Sequence, residues 1–305
     1  MTHKHKYANP RIDHNHQSGD PSEGNVRTDP KKVAWVGSMF FLGSVGSLLF
    51  ISVDAVFVFV TFTLFNICFG HSLGMHRLLI HRSYNCPKWL EYFLVQQGTI
   101  TGIAGPLTMM RVHDIRDWAQ RQPHCHSFFT QVEPWYRDLY RQLFCSIDLK
   151  YPPSLEIEAD VANDPIYVWM ERTWMWQQLP WAILLFTIGG IDWVLWGICS
   201  RVSVTVFGHW LIGYFAHNQG DKHWEVKGAA VQGHNVPWSS IITMGECWHN
   251  NHHAYPGSAQ MGLFAGQWDL GWQALCLLEQ LGVVSNLVTP EVLPVRQDLQ
   301  QLGTR

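Results

Sequence analysis

The run VAWVGSMFFLGSVGSLLFISV, residues 33 to 53, carries no charge. As a helix it is long enough to cross a hydrocarbon core of about 30 Å. Asp54 is the one charge before a second apolar run, AVFVFVTFTLFNICFG, which continues into HSLGMHRLLIHR. The two runs predict a helical hairpin with Asp54 at its tip. Lys4, Lys6, Arg11, Arg27, Lys31 and Lys32 precede the first run and Arg77, Arg82 and Lys88 follow the second, whereas the tip has no Lys or Arg. Positive charge stays on the cytosolic side, so both outer ends are expected there. A helical hairpin buried in a large soluble core is the competing reading, and the length of the uncharged run counts against it.

The pattern repeats between Trp174 and His217. Dividing this block at Gly189, Gly190 and Asp192 gives one helix from Trp174 to Ile188, kinked at Pro180, and a long returning helix from Trp193 to His217. Arg201 then lies inside a span and needs a partner or a polar pocket. Residues 87–110, broken by Glu91, glycines and Pro106, read as an interfacial helix or shelf. Residues 111–168 read as a cytosolic helical portion, and 267–282 as an amphipathic helix. The expected fold is an all-α integral membrane protein: four transmembrane helices in two hairpins under a cytosolic helical cap. That domain spans 33–285, between a disordered cytosolic tail (1–32, with no apolar leader) and a C-terminal tail (286–305).

Composition agrees. Sixteen Trp and 16 Phe against only 15% charged residues suit a chain that meets lipid. A net charge of -3 argues against a nucleic-acid partner. Seven Cys with no C-x-x-C pair fit a reduced cytosolic face better than a disulfide framework.

The chemistry is carried by histidine. In GECWHNNHH, residues 245 to 253, His249, His252 and His253 have the spacing i, i+3, i+4, which on a helix turns three imidazoles toward one side. Imidazole binds iron and zinc, and Glu246 is placed to orient a ligand. A surface histidine cluster is the plainer alternative. The two returning helices bring His76 and His81, and then His217, to the same side of the membrane, and His113 comes from the cytosolic portion. Seven histidines from four segments suit two metal ions better than one. His124, His126, His223, His234 and the histidines at 3, 5, 14 and 16 have no evident role.

The runs HRLLIHRSY and GECWHNNHHAYP, a box beginning at His113 and a helix ending in His217 resemble the membrane fatty acyl desaturases, the acyl-CoA desaturase group in particular. The resemblance covers roughly residues 33–285. It implies a di-iron centre, O2 as oxidant, a long-chain fatty acyl substrate held as thioester or lipid, and a ferredoxin or cytochrome b5 type electron donor. The implied reaction is introduction of a double bond, with no catalytic residues beyond the metal ligands. Removing hydrogen from an unactivated chain needs an iron-oxygen oxidant in a dry cavity. Trp118, Trp210, Phe215 and Trp248 are candidates for the walls of an acyl tunnel.

The middle box departs from the family pattern H-x-x-H-H. This chain reads His113-Asp114-Ile115-Arg116-Asp117. Asp117 can still bind iron; a guanidinium cannot, and Arg116 is expected to pair with Asp114, Asp117 or substrate. Gly213 stands where related enzymes often carry an Asn near the metal. His71 and His209 each lie 17 residues beyond a tip aspartate, at roughly the same depth, and should be neighbours that replace the lost ligands or brace the metal shell. The rival readings are a hydroxylase or acetylene-forming oxidase on the same scaffold, a catalytically idle metal-binding membrane protein, and, more weakly, a hydrolytic zinc site.

Overall fold

The computed structural model describes residues 11–12 and 19–303; the histidines at 3, 5, 14 and 16 lie outside it. Asp29 caps the first long helix, α1 (Pro30–Leu49), by accepting from the backbone N–H groups of Lys31 and Lys32. Ser52 caps α2 (Val53–Phe65) in the same way through Ala55 N–H. This helix runs on as a π-helical stretch, Asn66–Ile80, so Val53–Ile80 is one continuous rod. Beyond Asn66 it is buried, and α3 (Lys88–Thr99) packs antiparallel to it. Gly70 and Gly74 permit that approach: a Cβ on Gly74 would sit 2.3 Å from the Leu94 carbonyl oxygen.

Then α4 (Pro106–Arg121) returns, its N-terminal N–H groups at Leu107 and Thr108 bonded to Glu171 at 2.9 and 3.0 Å. The cap continues with α5 (Ser127–Thr130), α6 (Trp135–Phe144), α7 (Ala159–Ala162) and α8 (Pro165–Thr173). The second hairpin is formed by α9 (Gln178–Val194), a π-helical Leu195–Ser200, and α10 (Arg201–Asn218). It folds back at Gly190 (φ 77, ψ -162), a conformation open to glycine, and Leu185 of one arm lies against Gly197 of the other. Pro180 does not kink this helix as the sequence suggested; it sits in the first turn, where an unbonded N–H is normal anyway. Arg201 has the polar pocket that its position demanded, donating to the carbonyls of Gly197 and Ile100 and to Gln178 Oε1, at 2.7, 2.6 and 2.5 Å.

The tips of the two hairpins meet. Ser52 donates to Asp192 at 2.8 Å and the Trp193 indole donates to Asp54 at 2.9 Å. Among the described residues three helices, Pro30–Leu49, Val53–Ile80 and Gln178–Asn218, are long and apolar enough to cross a membrane. Phe41, Leu48, Phe57, Ile183 and Phe186 stand exposed along them, as expected of surfaces that face lipid.

The described residues are mainly helical, with two small ribbons that the all-α expectation did not contain. Residues 20–28, placed by the sequence in a disordered tail, form strand β1 (Asp20–Thr28), antiparallel to β2 (Cys145–Tyr151). This strand is held by its pairing, by Lys150 on Glu23 at 2.8 Å, and by Val26, which packs with Ile147 against the cluster around Trp118. At the other end β3 (Trp224–Val226) pairs with β4 (Leu299–Gln301), so the C-terminal tail also folds back. Between them, α11 (His249–Ala254) carries the histidine box. α12 (Leu270–Gln280), capped by Asp269, is the expected amphipathic helix.

Candidate metal centre

The π-helical stretch explains how one segment supplies two imidazoles to one place. Five residues along an α-helix is a rotation of roughly 140°, which would point His76 and His81 apart. On a π-helix, whose backbone bonds join i and i+5, the same step is a little over one turn and returns close to the same face. His81 N–H bonds to His76 O at 3.0 Å, and the two rings lie 4.8 Å apart. His113 from α4 and His252 from α11 close the group, with ring separations of 4.9 Å (His81 to His113) and 4.7 Å (His76 to His252). Each of the four offers one nitrogen within 4.8 Å of the others.

A second group is formed by His217 at the end of α10 with His249 and His253. Their Nε2 atoms converge: His217 to His249 and His249 to His253 are both 3.0 Å. The three histidines of α11 therefore do not share one volume, as the i, i+3, i+4 spacing suggested. His249 and His253, four apart, face one group and His252 faces the other. Side chains four apart stand one above the other, whereas the third is rotated away.

Burial favours the neutral form of the three α11 histidines, whereas at His113 burial is outweighed by Asp117 and Asp114, which raise its pKa. Burial pushes His249 down to about 4, against the opposing pull of Asp117, and holds His252 and His253 well below the ordinary histidine value. Neutral imidazole is the form that donates a lone pair to a metal. His81 Nε2, His113 Nδ1 and both nitrogens of His252 are buried with no hydrogen-bond partner. Orphaned ring nitrogens around a common volume are costly unless a cation takes their lone pairs, so the donor set fits metal ions.

Partners behind the rings set the tautomers. His76 Nδ1 lies 2.5 Å from Glu246 Oε2, and the other oxygen of Glu246 accepts from Ser72 (2.5 Å) and Arg77 (3.4 Å). Arg77, fully buried, also pairs with Asp269 at 2.8 Å. Burial opposes ionisation of Glu246, but His76 and Arg77 hold its carboxyl far below the usual range. On the second group, His217 Nδ1 faces Gln131 Oε1 at 2.7 Å and Gly213 O at 2.8 Å. In both cases Nε2 is left for the cluster.

The middle box resolves unevenly. Asp117 is buried with Oδ2 unpartnered, 3.6 Å from Arg121, and stands outside both groups. Burial raises its carboxyl, but His113, Arg121 and His249 together hold it below the ordinary value. Arg116 pairs with neither Asp114 nor Asp117; it donates to Gln142 Oε1 at 2.7 Å, and Asp114 is taken by Arg11 at 3.1 Å. His71 and His209 are neighbours, rings 5.0 Å apart, and belong to neither group. The four candidate tunnel residues are not gathered on one wall. Trp118 packs with Ile12 and Phe128, Trp210 with Val36 and Leu143, and Phe215 and Trp248 share a third cluster.

Arg11 was invisible to sequence reasoning. From the supposed tail it donates to the carbonyls of Leu79 and Ile80, and thereby ties the end of the His76–His81 segment to Asp114 of α4.

The sequence profile of the fatty acid desaturase family matches residues 52–261, which include both histidine groups. The chain belongs to the fatty acid desaturase family. This desaturase is 32% identical over 269 residues to the sn-1 stearoyl-lipid 9-desaturase of Anabaena variabilis, covering 84% of this chain and 94% of that one. It is 33% identical over 234 residues to the sn-2 palmitoyl-lipid 9-desaturase of a Nostoc species (72% of this chain, 76% of that one). To an acyl-CoA 5-desaturase of Anemone leveillei it is 28% identical over 290 residues (88% and 87%). The protein is thus an oxidoreductase of fatty acid metabolism, acting on a fatty acyl substrate, with apolar helices and histidine groups that suit a membrane and a metal.

Proposed function

We propose that this desaturase is an O2-dependent di-iron enzyme that introduces a double bond into a long acyl chain. The observation that carries the reading is the division of seven buried or half-buried histidines into two adjacent groups, four and three, each converging on its own small volume. His76, His81, His113 and His252 would hold one iron. His217, His249 and His253 would hold the other, with Asp117 as a carboxylate ligand in place of the missing imidazole. Bound iron would supply the redox chemistry by which dioxygen takes two hydrogens from adjacent carbons and is reduced to water, with two further electrons from a ferredoxin or cytochrome b5 type donor and two protons from solvent.

The chain's own residues fix the imidazoles and keep the site dry. Glu246 and Gln131 hold His76 and His217 by Nδ1, and Arg77 holds Glu246. His71 and His209 brace the metal shell from beside it rather than joining it. The names of the lipid-acting relatives favour an acyl group esterified in a membrane lipid over a thioester. We assign α1, α2, α9 and α10 as four transmembrane helices, since the bend at Gly190 divides the longest rod in two, with the histidine groups and both chain ends in the cytosol.

Two measurements test this. The purified chain, reconstituted with iron under reducing conditions, should hold two iron ions, and fewer than about one would favour an idle metal-binding protein. Expressed in a host lacking other desaturases, it should produce unsaturated acyl chains in the lipid fraction; hydroxylated or acetylenic products would move the assignment to another oxidation on this scaffold.

A further inference from the structure

Arg116 stands where the family pattern has a histidine, and its guanidinium has turned away from the metal groups into a buried chain of polar side chains. Arg116 Nη2 donates to Gln142 Oε1 at 2.7 Å. The amide nitrogen of Gln142 faces Asp138 Oδ1 at 3.3 Å and Phe128 O at 2.7 Å. Asp138, 2% exposed, accepts on Oδ2 from the Trp210 indole at 2.8 Å and from Gln131 Nε2 at 3.3 Å. Gln131 Oε1 then meets His217 Nδ1 at 2.7 Å.

The direction of this chain is determined at both ends. A guanidinium only donates, so Gln142 presents its oxygen to Arg116 and its nitrogen to Asp138. A carboxylate only accepts, so Gln131 presents its nitrogen to Asp138 and its oxygen to His217. His217 must therefore carry its proton on Nδ1, as the Gly213 carbonyl 2.8 Å from the same nitrogen also requires, which leaves the Nε2 lone pair free for the second group. Two further features serve this arrangement. Gln131 is held in the left-handed region (φ 53), its carbonyl fixed by Asn218 Nδ2 at 2.7 Å. Gly213 leaves room, because a Cβ there would already touch the Gln131 amide at 3.6 Å and a longer side chain would displace it.

We propose that Arg116, Gln142, Asp138 and Gln131 form a relay that fixes the tautomer of His217 and so sets the metal affinity of the His217, His249 and His253 group. All four are positioning residues, and the inference rests on the two-metal reading above. The residue that stands in a ligand's place has become the positive end of a device that strengthens a ligand of the three-histidine group.

The test is a cobalt(II) titration of the purified, metal-free full chain in detergent, followed by the visible d–d absorption. His217→Ala identifies which equivalent belongs to the three-histidine group. Gln131→Leu should weaken that equivalent by tenfold or more while the other stays within twofold. Arg116→His should weaken it too, although it adds another imidazole to the chain. Should Gln131→Leu fail to fold, Gln142→Leu carries the same test, with a loss of threefold or more. Unchanged affinities in these variants, tightening of both equivalents in Arg116→His, or equal loosening of both together with a lower Tm would overturn the relay. A parent chain that binds fewer than two cobalt ions would overturn the two-metal reading and the relay with it.

Discussion

Replacing Glu246 by Gln changes one atom and should cost the first metal group its grip on His76. The carboxylate now satisfies three donors: Ser72 and His76, each at 2.5 Å, and Arg77 at 3.4 Å. An amide has one accepting oxygen. If it stays with Ser72 and Arg77, the NH2 faces His76 Nδ1, which must become an acceptor; the proton moves to Nε2 and the ring can no longer bind metal. If it turns to His76, the NH2 confronts Arg77 and Ser72 in a buried site. Either way one charge-assisted bond is lost, worth about 1.5–3 kcal/mol. Loss of such a supporting partner corresponds to about 10–100-fold in metal affinity. Metal titration of Glu246→Gln should show the four-histidine equivalent weakened by that factor and the other little changed. An unaltered first equivalent would refute the assignment of Glu246 as the group that fixes His76.

Gly74→Ala should lower Tm by several degrees and weaken the same group, because its Cβ would lie 2.3 Å from the Leu94 backbone and must push α3 off the His76 segment; Gly37→Ala, with nothing within 4 Å, is the control. The metal-free protein should lose stability as pH falls from about 6.5 toward 4. The folded state holds His249 at about 4, so an unfolded histidine takes up the proton first, and full stability is present only above the unfolded value. A Tm that stays flat across that window in detergent would contradict the burial of these imidazoles. Replacing His71 and His209 together by Leu should leave two irons bound with an altered spectrum; loss of about one iron per chain would instead make them ligands.

The hairpins were legible because a run of uncharged residues has few alternatives in water, and the matching of Asp54 with Asp192 followed from their repeated setting. The seven histidines were legible because topology alone gathers them. What could not be read is backbone detail. An α-helical rotation sends His76 and His81 apart, and only the π-helical stretch reunites them. The same applies to α11, whose single turn divides its histidines between two groups. Arg116 was misassigned because its partners, Gln142 and Asp138, lie on a different helix and carry no spacing signal. Residues 20–28 looked disordered because a polar strand on a ribbon edge has the composition of a tail.

One helical turn of α11 carries His249, His252 and His253, so imidazoles facing both groups rise from the same few backbone atoms. The ring separation between His249 and His252 is 5.7 Å. That turn acts as a ruler. Substitutions elsewhere can tilt the pair of groups against the membrane or the acyl chain, but they cannot easily change the spacing between the groups. A middle box with Arg116 and Asp117 in it therefore leaves the span between the two histidine groups fixed.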